Sequence, residues 1–167
     1  MSENHHVLLL DFTDRAACRA AFDEAAHLPG LRQSAIVERL ADGTLEVPAG
    51  QARGAGAPTV GAGVVGGLAG LLGGPIGVLL GWAAGTALGT AAEARRDHEG
   101  GAGLIVLSEE VDEGHSMLVL DLAETSPAPA DDLAARHGTT LRRIPAAELA
   151  ERVEAVRRAA DQPGEHQ

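Results

Sequence analysis

The sequence predicts an α+β sandwich split in its middle by an apolar helical hairpin, and three observations predict it. Short apolar runs suited to strands alternate with Ala-rich amphipathic stretches in both halves of the chain. Between the halves, residues 59–92 carry no charge at all, and glycines recur there every fourth residue. The length, 167 residues, is that of one ordinary domain able to bury a core.

In the first half, Val7 to Phe12 is an apolar run of strand length that stops at Thr13-Asp14. Thr13 or Asp14 is placed to cap a helix from Arg15 to His27, whose Ala17, Ala21, Phe22, Ala25 and Leu28 share one face. Leu28-Pro29-Gly30 ends it. Residues 32–40 form a second strand, Asp42-Gly43 is a hairpin turn, and Thr44 to Val47 returns as a third strand. Pro48 to Pro58, with Arg53 as its one charge, reads as a loop.

The uncharged stretch then begins at Thr59. Gly66, Gly70 and Gly74, and again Gly77, Gly81, Gly85 and Gly89, line up on one helical face. A glycine stripe lets helix backbones approach closely. Gly74-Pro75 interrupts the run, and Pro75 suits the first position of a second helix. The expectation is two short helices folded as a glycine-zipper hairpin.

Charge returns at Glu93, Arg95 and Arg96, and Gly100, Gly101 and Gly103 mark a joint. Residues 104–111 fit a strand by β-branched content and two helical turns by the spacing of Leu104, Leu107 and Val111; helix is the preferred reading. Asp112 to His115 is a turn, and Ser116 to Leu122 a strand. Asp131 or Asp132 opens a short helix closed by His137-Gly138. Thr139 to Ile144 is the last strand. Pro145 starts an amphipathic helix striped by Leu149, Val153, Val156 and Ala160, with Glu148/Arg152 and Glu154/Arg158 spaced as i,i+4 pairs on its solvated side. With the insertion removed, the order is strand–helix–strand twice plus a terminal helix, the pattern of a ferredoxin-like split βαβ sandwich. The expected organisation is residues 1–56 and 95–161 as two halves of one body, 57–94 as the inserted hairpin, and 162–167 as a disordered tail.

These features together resemble a bacterial family of membrane-associated proteins of unknown function, DUF1269. The matching segments are the Leu8-Leu9-Leu10-Asp11-Phe12 strand with its Ala-rich helix, the hairpin turning at Asp42-Gly43, and the glycine-rich insertion. The segment Glu113 to Leu120 is similar to the family's Gly-x-Ser-Ala-Leu strand entry, with Met117 in place of the usual Ala, and Gly138-Thr139-Thr140-Leu141 completes the match. The layout is also similar to bacterial general-stress proteins with a glycine-rich hairpin inside an α/β domain. The resemblance implies membrane association and supplies no catalytic residues.

Composition excludes several classes. The net charge of −11 opposes nucleic acid, which needs basic clusters. Two Phe, one Trp and no Tyr leave few platforms for stacking bases. A single Cys, Cys18, excludes an internal disulfide and reads as a small buried thiol. Gly61-Ala62-Gly63-Val64-Val65-Gly66 has the letters of a dinucleotide fingerprint, but it follows a Gly/Pro loop and no acid follows at residues 80–90. The histidines lack metal-binding helical spacing, and the adjacent His5 and His6 of a strand point to opposite faces. His115 reads as a solvated turn residue, and Glu109-Glu110 and Asp131-Asp132 as exposed or helix-start acids. No catalytic, cofactor or metal residue is therefore expected, and no enzyme.

The expected function is a non-enzymatic role in which the hairpin anchors or oligomerises the protein. In the first form it enters the bilayer. Each arm, of about 15 to 17 residues, gives about 25 Å of helix against about 30 Å of hydrocarbon. Arg53, Arg95 and Arg96 would then stay on the cytoplasmic side. In the second form copies of the chain pack hairpin on hairpin, a homo-oligomer without lipid. A small-ligand-binding ferredoxin-like domain is a third, weaker alternative. The polar start Met1 to His6 lacks the features of a signal peptide, so a cytoplasmic body, peripheral to or inserted in the cytoplasmic membrane, is expected.

Overall fold

In a computed structural model of the chain, residues 4–52, 59–60, 106 and 109–161 are described. They form an α+β fold: an antiparallel sheet and three helices. The elements are β1 (His5–Phe12), α1 (Arg15–Ala25), β2 (Leu31–Arg39), β3 (Leu45–Ala52), β4 (Thr59–Val60), β5 (Ser116–Ala123), α2 (Ala128–Arg136), β6 (Leu141–Pro145) and α3 (Ala146–Asp161). The strand order is β4-β3-β2-β5-β1-β6, with β4 contributing two residues.

Side chains alternate across the sheet, and the two sets are both buried. Leu8, Leu10 and Phe12 of β1 share a core with Leu118, Leu120 and Leu122 of β5, under Cys18, Ala21 and Phe22 of α1 and Leu133 of α2. The alternate set, Val7 and Leu9 with Val119, Met117, Ala35 and Val37, is also buried. Burial on both faces explains why β1 reads as an unbroken apolar run instead of an alternating one. Helix α3 packs on β1 and β6, with Leu149 and Val153 buried.

Local chemistry sets the boundaries. The Asp14 carboxylate caps α1 by accepting the Ala16 N–H at 2.9 Å. At the β2–β3 turn, Asp42 accepts the Thr44 N–H at 2.9 Å while Gly43 sits at φ +84°. The bonds from Thr44 hold the Asp42 carboxyl below its usual pKa.

Several boundaries differ from the sequence reading. The third strand does not end at Val47 but runs through Pro48 to Ala52. Its register against β2 shifts between Ile36 and Glu38, so Val47 and Pro48 oppose Val37 in a bulge, where proline's missing N–H is tolerated. Gly50 is therefore a buried strand residue paired with Ala35, not a loop glycine. Thr59 and Val60 do not open a helix; they pair with Gly50 and Ala49. Two β-branched residues beside a free strand edge favour that outcome.

Helix α2 begins at Ala128 instead of Asp131, because Pro127 and Pro129 fit a first turn whose N–H groups need no intrahelical partner. Pro145 closes β6 opposite His6, and α3 follows at Ala146. Within 104–111, Val106, Glu109 and Glu110 are helical, in agreement with the preferred reading at those positions.

Candidate functional site

The seven glycines of the expected zipper (Gly66, Gly70, Gly74, Gly77, Gly81, Gly85 and Gly89), Pro75, and Arg53, Arg95 and Arg96 lie outside the described residues. The structure does describe the two points at which the intervening chain joins the body. On one side β4 lies at one edge of the sheet. On the other, the Glu110 carboxylate accepts from Arg142 of β6, the opposite edge strand, and from Arg152 of α3 at 2.7 Å. Glu110 is thus not an exposed acid: its side chain is 9% exposed. Arg152 pairs with Glu110, and at 3.7 Å with Glu109, where an i,i+4 partner at Glu148 was expected. A tertiary carboxylate next to two arginines prevails over a solvated helix pair worth about 0.3–0.5 kcal/mol.

Polar side chains gather at both ends of β1. At its N-terminal end His5 and His6 part to opposite faces, as the strand period requires. His5 Nε2 meets Asp121 Oδ1, on a carboxylate that is 2% exposed. His6 Nδ1 lies 3.2 Å from Glu124, without hydrogen-bond alignment. Glu124 is instead held by Arg143, whose Nε and Nη2 donate to it at 3.0–3.2 Å. Arg143 also donates to Asp131 at 2.8 Å and to the Pro127 carbonyl at 3.0 Å. The Glu124 carboxylate, and then Asp131, push the guanidinium pKa above its usual value. This network ties β6 to the start of α2 and lines a cavity of about 240 Å³ with Asn4, Thr125 and Ser126. Drug-sized ligand pockets span about 300–1,000 Å³. The charges bordering this one neutralise each other.

At the C-terminal end of β1, His115 is half-buried, and its Nδ1 lies 2.9 and 3.1 Å from the two oxygens of Asp11. The solvated-turn reading of His115 is corrected here. The turn before it is locked to β2: Gly114 N donates to the Arg39 carbonyl at 2.7 Å, and Arg39 N to the His115 carbonyl at 3.1 Å. Gly114 takes φ +77° to complete it. Asp112 stands beside this pair, so one ligand atom each from Asp11, Asp112 and His115 lies within 4.8 Å of the others. Sequence reasoning missed the cluster because Asp11 and His115 are 104 positions apart.

Two further features are structural. Burial, and then the carboxylates of Glu38 and Asp11, push the Cys18 thiol up to about 12. Glu24 of α1 accepts from His137 at 2.7 Å and Arg136 at 2.6 Å, and these bonds lower its pKa. They clamp α1 to the C-terminal end of α2. Among the described residues no helix is long and apolar enough to cross a membrane. No family model matches the chain, and neither a curated protein nor a solved structure matches it.

Proposed function

We propose that this is a non-enzymatic protein whose α+β body carries the glycine-rich stretch as its working part, attaching the body to a membrane surface or to further copies of itself. The observation that carries the reading is the uncharged run 59–92, in which Gly66, Gly70 and Gly74, and again Gly77, Gly81, Gly85 and Gly89, recur every fourth residue. Glycine costs about 1 kcal/mol in a solvated helix, so a register of this kind is favoured where backbones pack against one another.

The body supports the reading in two ways. Its net-acidic chain has no electrostatic route to an anionic lipid surface of its own. Its arginines Arg15, Arg39, Arg136, Arg142, Arg143 and Arg152 are engaged by carboxylates within the fold. With β3 and β4 set aside, the order β2-β5-β1-β6 places β5 antiparallel between β1 and β2. That order supports a ferredoxin-like split βαβ body.

The test replaces residues 62–104 by a Gly/Ser linker. A linker able to cross the whole sheet, five strand spacings or about 24 Å, reaches from the β4 edge to the β6 edge that the Glu110 side chain contacts. A flexible linker reaches about 5–6 Å × √n, so roughly 20 residues are needed. The untagged full chain is expected in the carbonate-washed membrane pellet, or as a discrete oligomer without detergent. The linker variant is expected as a soluble, cooperatively folded body. Gly81→Leu or Gly85→Leu should weaken attachment or assembly, and Gly164→Leu should not. Identical distribution and particle size for the full chain and the linker variant would refute the proposal.

A further inference from the structure

The geometry points to a binding site for a divalent first-row cation of the Zn2+ type at the Asp112–His115 turn, with Asp11, Asp112 and His115 as its protein ligands. Three donors of two kinds converge there, and each ligand atom is within 4.8 Å of the other two. Bonds to Zn2+ from imidazole nitrogen and carboxylate oxygen are about 2.0–2.2 Å, which in a tetrahedral site puts neighbouring ligand atoms about 3.3–3.6 Å apart. His115 Nδ1 and the Asp11 oxygens, at 2.9 and 3.1 Å, already approach that spacing. Asp112 then needs only a side-chain adjustment, which its exposed position allows.

Two observations suit a cation beside the His–Asp pair. The Asp112 carboxylate makes no hydrogen bond or ion pair among the described residues, yet it stands beside a second carboxylate in a chain of net charge −11. A cation held between the two carboxylates would offset their mutual repulsion. The backbone holding the ligands is also fixed in advance. The turn is bonded to β2 on both sides, and the Thr139 hydroxyl donates to the Asp11 carbonyl. Little ordering is left for the ion to drive.

The donor set selects the ion. Imidazole suits Zn2+ and its neighbours, whereas Mg2+ prefers oxygen ligands alone. Two carboxylates balance the double positive charge, and the exposed side of Asp112 leaves the remaining positions to water.

Isothermal titration of the EDTA-treated full chain with ZnCl2, and separately with MgCl2, tests the site. One saturable Zn2+ per chain is expected, with Mg2+ far weaker. Asp112→Asn, which disturbs no contact in the fold, should weaken Zn2+ at least roughly tenfold, and His115→Ala should abolish the site. Co2+ in place of Zn2+ should give a visible absorption band that His115→Ala removes. Circular dichroism of each variant reports whether the fold is kept. Absence of saturable Zn2+ binding overturns the proposal. So does binding that survives both Asp112→Asn and His115→Ala but is lost when His5 and His6 are replaced by Ala. Equal affinity for Mg2+ would overturn the Zn2+ assignment.

Discussion

Replacing Gly30 by Ala should be the most damaging of the single-methyl changes at the positive-φ glycines. Gly30 sits between α1 and β2 at φ +79°, and a Cβ built there falls 2.1 Å from the Ala123 carbonyl oxygen. Relief requires the two backbones to part by roughly 1.3 Å, the gap between that distance and the 3.4 Å of ordinary contact. The same two residues are joined by the Ala123 N–H to Gly30 carbonyl bond at 3.0 Å, which such a shift would break. The left-handed conformation costs a non-glycine residue about 1–2 kcal/mol. A lost hydrogen bond adds about 1 kcal/mol. Against these, Ala reduces unfolded-state entropy by a contribution of about 0.4–1 kcal/mol. With the carbonyl clash included, a net loss of about 3 kcal/mol is expected. Gly43 has φ +84° with nothing within 4 Å of its Cβ position, so Gly43→Ala isolates the conformational cost, about 1 kcal/mol or less. Urea unfolding followed by circular dichroism should separate the two midpoints by about 1 M for an m-value near 2 kcal/mol/M. Coincident midpoints would refute the close approach of Gly30 to β5, on which the α1–β2 connection depends.

Two titratable groups give further checks. With its pKa near 12, only about one Cys18 thiol in ten thousand is ionised at pH 8, and the side chain is fully buried, so a disulfide reagent should label it only on unfolding. Labelling of the native chain at the rate of a free thiol would contradict the α1 packing. Glu24, whose carboxyl is lowered by His137 and then Arg136, contributes stability that is present above its unfolded pKa and is lost as pH falls through its lower folded value. The slope of Tm against pH between about 5 and 3 should therefore be shallower in Glu24→Gln than in the natural chain; an unchanged slope would remove the α1–α2 clamp from the account.

Local chemistry made much of the body legible. Asp14, Asp42-Gly43 and Gly138 act through their own neighbours, so a cap, a turn and a helix end can be read from short windows. The stripe of α3 is confirmed at Leu149 and Val153, which are buried. What escaped was set by partners distant in sequence. Pro48 reads as a strand breaker until the bulge opposite Val37 is seen. Glu110 reads as a solvated acid until Arg142 and Arg152 are brought to it. His115 and Asp11 share nothing in the sequence that announces their contact, because the pairing of β1 with β5 creates it. The glycine register is plain in the sequence and lies outside the described residues.

The two margins of the sheet have a consequence of their own. Among the described residues one is the two-residue β4; the other is β6, five residues long, with Arg142 and Arg143 along it and Pro145 at its end. Short strands, arginines and proline are poor templates for a neighbour's backbone. Two copies of this fold that meet edge to edge are thereby kept from zipping their sheets into a continuous ribbon.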